Sequence, residues 1–163
     1  MVNVKHDIQD IYNLISEIPD PEIPVITIKD LGILREVKYM DGTYVVTITP
    51  TYTACPAMGF IESQIKEILK DHSIEKVKVE LTYTPAWTTD WLSQEAKLKL
   101  KKYGIAPPHH SSCSKLFPAD ELVVCPQCHS KHTVLLSRFG STACKALYKC
   151  ENCKETFDLF KCH

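Results

Sequence analysis

The chain has 163 residues, 24% of them charged, with a formal net charge of −1 and eight cysteines; that length suits one compact domain plus a small appendage rather than one large core. The near-zero charge gives no overall field to draw the chain onto nucleic acid or an anionic membrane. The N-terminal MVNVKHDIQD carries charges where a signal peptide needs its apolar run, and no stretch of about 18 apolar residues is present, so a cytosolic setting is expected.

Ile8, Ile11, Tyr12, Ile15 and Ile18 recur at spacings of three and four, which predicts an amphipathic helix from about Val4 to Ile18. It ends at PDPEIP, where three prolines remove backbone donors. Ile33 to Met40 and TYVVTITP read as two strands joined by a tight turn at Asp41–Gly42. Pro56 then opens a helix with Met58, Ile61, Ile65, Ile68 and Leu69 on one face, fading near His72. EKVKVELTY alternates Val77, Val79 and Leu81 against charged neighbours and predicts a strand with one buried face. A last helix, capped by Thr88 or Thr89 and stopped at Gly104, carries Trp91, Leu92, Ala96, Leu100 and Tyr103. Trp87 and Trp91, four apart, read as packing residues. The expected fold is α+β: an α-β-β-α-β-α domain with a mixed sheet over residues 1–105, a linker over 106–120 marked by IAPPHHSSCSKL, and a small β module over 121–163.

In a cytosolic chain, eight cysteines point to metal ligands or reactive thiols rather than disulfides. CPQC and CENC, separated by 21 residues, have the spacing of a four-cysteine zinc ribbon. A two-residue gap lets both thiolates of a tight turn reach one tetrahedral ion, and HTVLLSRF and ETFDLF supply strands. Cys125, Cys128, Cys150 and Cys153 would fill the coordination sphere, so the expected Zn2+ is structural. A module of this size cannot bury much core, and the metal would supply the missing stability. Cys144 is a fifth thiol that four-coordinate zinc does not need, and pattern alone favours a buried structural residue. Cys113 falls in the linker and Cys162 at the chain end.

Cys55 in TYTACPAMGF precedes a helix start. Helix-start donors favour an anion there, so a depressed thiol pKa is expected, while a compact buried thiol is the plain alternative. A cysteine-nucleophile acyl-transfer enzyme would need a general base, and none of the seven histidines follows a recognisable catalytic motif. A nucleic-acid-binding ribbon would draw on Lys131, Arg138, Lys145, Lys149 and Lys154, which on a small module are ordinarily just solvated charges.

DPEIPVITIKDLGIL, TPTYTACPAMGFIESQI and TYTPAWTTDWLS, in this order, resemble the SufT-like iron–sulfur assembly domain over about residues 5 to 105. With FGSTACKALYKCENCKETFDLFK added, the whole chain is similar to the D-subunit family of the phenylacetyl-CoA 1,2-epoxidase complex of aerobic phenylacetate breakdown. The resemblance implies an accessory rather than catalytic subunit that helps assemble or insert an iron or iron–sulfur centre, bound only in passing, in other epoxidase subunits or together with iron–sulfur assembly proteins. It places the functional thiol on Cys55, with Asp20, Glu22 and Asp30 in the supporting motifs, and it brings Cys144 into the family signature as an additional candidate. Neither nucleic acid nor a membrane is an expected partner.

Overall fold

The computed structural model describes residues 6–108 and 122–161. Cys113, Cys162, His109, His110, His163 and nearly all of the expected linker lie outside them. The chain packs as two units, residues 1–87 and 88–163.

In the first unit, helix α1 (Ile8–Ser16) is capped by Asp7, whose carboxylate accepts from the Gln9 N–H. The helix buries Ile11 and Ile15 and leaves Ile8 exposed. Strands β1 (Leu34–Met40) and β2 (Thr43–Ile48) pair antiparallel, and β2 pairs parallel with β3 (Val77–Leu81), giving the expected mixed sheet. The β1–β2 turn has positive φ at both Asp41 and Gly42, the backbone that matches strand twist in a two-residue hairpin. Helix α2 (Ala57–Asp71) connects β2 to β3 and buries Met58, Ile61, Ile65 and Leu69, the face its periodicity predicts. On β3, an edge strand of this sheet among the described residues, the expected buried face is incomplete: Val77 and Val79 are half-buried and Leu81 is exposed.

In the second unit the single helix expected from Thr88 is two pieces. Thr88 caps a short 3-10 turn, Thr89–Trp91; Leu92 is extended, and Ser93 caps helix α3 (Gln94–Tyr103) by accepting from the Ala96 N–H. Gly104 stops α3 in the left-handed conformation, as glycine does at low steric cost. The packing boundary falls at 87/88, and after Gly104 the chain continues into β4 (Ile105–Ala106), which joins the C-terminal sheet. That sheet runs β4, β7 (Thr156–Phe160), β6 (Lys145–Cys150), β5 (Thr133–Ser137). Ala106, Val123, Cys125, Cys150, Phe157 and Leu159 form its core, so two cysteines of the CxxC pairs serve as core residues. No helix among the described residues is long and apolar enough to cross a membrane.

Candidate functional site

The acidic-proline stretch is a tightly tied loop. Asp20 is buried, and its Oδ1 accepts from the N–H groups of Glu22 (2.9 Å) and Ile23 (2.8 Å). The Asp20 N–H donates to the Ile26 carbonyl and the Ile28 N–H to Ile18, so the loop closes on itself while Ile23, Ile26 and Ile28 enter the core. Asp30 sits in a reciprocal pair: its Oδ2 accepts from the Thr27 N–H and its own N–H donates to Thr27 Oγ1, both at 3.1 Å. One residue on, the Leu31 carbonyl accepts from the buried indole N–H of Trp87 at 2.7 Å, which ties the Asp-Leu-Gly step to the end of the unit. Asp20 and Asp30 thus shape the backbone, as side-chain acceptors in turns do.

Cys55 lies one residue before Pro56, the N-cap of α2, and is half-buried. Its N–H donates to the Tyr52 carbonyl and its carbonyl accepts from Met58, so it is fixed outside the first turn. Burial pushes the thiol up from its ordinary value; the Ala57 N–H pulls it down, the Glu22 and Asp20 carboxylates push it up, and the Thr51 hydroxyl pulls it down. The net shift is upward, which corrects the expectation of a stabilised thiolate. A helix-start donor is present, but one N–H and one hydroxyl do not outweigh desolvation together with two negative neighbours. The same fact shows that the fold brings Asp20, Glu22 and Cys55 into one electrostatic neighbourhood, whereas Asp30 is not among the groups acting on the thiol. Sequence reasoning missed Thr51, whose only signal is its place in the threonine-rich run four residues ahead of Cys55. Among the described residues, no histidine is one of the groups acting on the thiol.

The Sγ atoms of Cys125, Cys128, Cys150 and Cys153 all lie within 4.8 Å of one another. Cys125 and Cys153 are 3.8 Å apart and Cys128 and Cys150 3.5 Å; zinc–thiolate bonds of about 2.3 Å give tetrahedral S···S edges of about 3.8 Å. The donor set and its spacing therefore fit a tetrahedral metal, zinc above all. Each CxxC is built the same way. The Cys125 and Cys150 N–H groups donate to the carbonyls of Ser130 and Glu155, and the Cys125 and Cys150 carbonyls accept from His129 and Lys154, which both have positive φ. Protonation follows the crowding. The Cys153 N–H donates to Cys150 Sγ and pulls that thiol down to about 6, against the opposing effect of burial. On Cys153 the Glu155 N–H acts downward, but burial and the three neighbouring thiols carry it up to about 12. One thiolate forms readily and the next at a cost, a charge conflict that a bound divalent cation removes.

Cys144 is buried and stands apart from this cluster. Its Sγ is 3.0 Å from Thr142 Oγ1, its carbonyl accepts from the Lys161 N–H, and it acts electrostatically on the Lys161 ammonium, which burial pulls down.

Residues 109–161 match the family model described as the PaaD zinc beta ribbon domain, and residues 8–86 match that of an iron–sulfur cluster assembly protein. The chain is 49% identical to an Escherichia coli protein provisionally named as the D subunit of 1,2-phenylacetyl-CoA epoxidase, over 95% of this chain and 93% of that one. The chain belongs to the D-subunit family of the phenylacetyl-CoA epoxidases. Within the family's N-terminal part, it is 37% identical to a Porphyromonas gingivalis protein named an Fe-S protein maturation auxiliary factor, covering 56% of this chain and 89% of that protein. The crystal structure of a domain of unknown function, DUF59, from Bacillus anthracis superimposes with a TM-score of 0.52 at 28% identity, covering 57% of this chain and 90% of that one.

Proposed function

We propose that this chain is a non-catalytic accessory subunit of a phenylacetyl-CoA epoxidase system, and that it assists the assembly or insertion of an iron or iron–sulfur centre in a partner subunit, with Cys55 as the exchanging ligand. Cys125, Cys128, Cys150 and Cys153 hold a structural Zn2+, whose closed coordination leaves no site for substrate. The observation that carries the reading is the neighbourhood of Cys55. Burial first, and then the Glu22 and Asp20 carboxylates, make deprotonation of this half-buried thiol costly, and a bound cation such as iron would offset that cost. A single thiolate outside any closed cage suits brief iron binding, which fits delivery rather than retention.

The names of the relatives support the same direction: one is assigned to the epoxidase and another to Fe-S protein maturation. The test is to produce the epoxidase with Cys55→Ser in place of the wild-type chain and to measure iron content and activity together. Loss of both supports the reading. Full iron loading with full activity sinks it.

A further inference from the structure

Among the described residues, strand β5 is an edge strand of the C-terminal sheet. Val134, Leu135 and Leu136 are 42%, 42% and 51% exposed, and Phe139 just beyond is 65% exposed. Successive strand residues point to opposite faces, so neither face of β5 is fully covered, and the register shift between Leu135 and Ser137 sets Leu136 outside regular pairing. The loop that follows is held unusually firmly. The Lys161 ammonium donates to the Arg138 carbonyl at 2.7 Å and lies 4.5 Å over the Phe139 ring. The Gly140 N–H donates to the Lys145 carbonyl, Ser141 Oγ donates to Asp158 Oδ2 at 2.9 Å, and Lys145 Nζ is 3.8 Å from the same oxygen. Gly140 packs so closely on Asp158 that a Cβ there would collide with its carboxylate.

Lys145 and Lys161 are both buried. Burying ammonium groups is costly, and neither serves the four-cysteine cluster; what they hold is the loop that displays Arg138 and Phe139. An aromatic and an arginine on a rigid support, beside three exposed aliphatic residues, have the composition of an interface hot spot whose ordering cost is already met. The surroundings are basic. Residues 122–161 hold six Lys and Arg, two of them the buried Lys145 and Lys161, against three Asp and Glu, whereas residues 1–87 hold eight against thirteen. Of the three acids, Asp158 is engaged by Lys145 and Ser141, and Glu151 lies near Lys149 and Lys154. Pairing of β5 with β5 of a second copy would run antiparallel and bring Lys131 near Arg138, a like-charge juxtaposition.

We infer that the β5 edge and the Arg138–Phe139 loop dock into an apolar recess rimmed by carboxylates on another protein of the epoxidase complex, with Phe139 as the anchor. This rests on the partner reading above and is independent of Cys55. The test measures binding of the full-length, zinc-loaded chain to the purified remaining epoxidase subunits by calorimetry, at low and high salt. Phe139→Ala and Arg138→Glu should each weaken binding roughly tenfold or more, and salt should weaken the wild type but affect Arg138→Glu less. Gly140→Ala, with Phe139 intact, should weaken binding by disturbing the loop. Tyr103→Ala, exposed on α3, should leave it unchanged, and zinc content reports that each variant is folded. Wild-type affinity in both Phe139→Ala and Arg138→Glu would overturn the inference and leave the partner reading standing. Absence of wild-type binding to all of the other subunits would overturn both. Phe139-dependent binding to a second copy or to nucleic acid instead would overturn the assignment of the partner.

Discussion

Asp20 belongs to the supporting motif, yet the structure gives it a measurable folding role separable from any effect on Cys55. Its Oδ1 accepts both the Glu22 and the Ile23 N–H, at 2.9 and 2.8 Å, in a buried turn. Asp20→Ala leaves both donors without that acceptor. At about 1.5 kcal/mol for each bond to a charged acceptor, the loss is about 3 kcal/mol. Asp20→Asn keeps one carbonyl oxygen in the same place, so both bonds survive in neutral form and the loss is about 1 kcal/mol. The assay is urea unfolding followed by the fluorescence of Trp87, whose indole is tied to Leu31 in the same unit. Asp20→Asn also removes a negative neighbour of Cys55 and should make its thiol easier to ionise. Equal destabilisation by Ala and Asn would refute the acceptor argument. An unchanged Cys55 titration in a folded Asp20→Asn would refute the electrostatic link.

The remaining expectations follow from the same geometry. In the iron-free chain Cys55 should react with iodoacetamide more slowly at pH 8 than an unperturbed thiol, and Glu22→Gln should speed it; faster-than-ordinary alkylation would contradict the upward shift. Because the folded-state pKa lies above the unfolded value of about 8.5, the native state holds this proton more tightly. Its contribution is intact below that value and is lost as the pH rises through the folded pKa, so Cys55→Ala should flatten the alkaline fall in stability, and an unaltered alkaline limb would count against this. Cys150→Ser, or a strong zinc chelator, should unfold residues 122–161, seen as lost amide protection, while β1, β2 and α2 stay protected; retained protection around Cys125 would contradict a metal-held ribbon. His129→Gly or Lys154→Gly should stabilise the zinc-loaded ribbon slightly, by up to about 1 kcal/mol, since each relieves a left-handed residue in a CxxC turn; a lower chelator resistance in both variants would contradict that.

Much of this was legible in the sequence because it was written in local patterns. The α1 and α2 stripes, the Asp41–Gly42 turn and the paired CxxC spacing each encode their own geometry within a few residues. Strand β4 was not, since it is two residues long and is strand only through its pairing with β7. The break between the 3-10 turn and α3 was hidden for a related reason: Trp91, Leu92 and Ala96 suit a helix, and only the extended Leu92 with the Ser93 cap interrupts it. The direction of the Cys55 shift was misjudged because the sequence shows the helix that follows but neither the burial of the thiol nor the Asp20 and Glu22 carboxylates acting on it. Lys145 reads as a solvated charge in the sequence, and its burial beside Asp158, like the hold of Lys161 on the Arg138 carbonyl, is visible only in the fold.

The central claim is that Cys55 hands iron to a partner. The most direct measurement loads the full-length chain anaerobically with iron-57, mixes it with iron-free epoxidase subunits, separates the proteins and records the Mössbauer signal and iron content of the partner. The account predicts that the label moves to the partner from the wild-type chain and that Cys55→Ser, folded and zinc-loaded, transfers little above free iron added alone. Equal transfer by the two chains would contradict it.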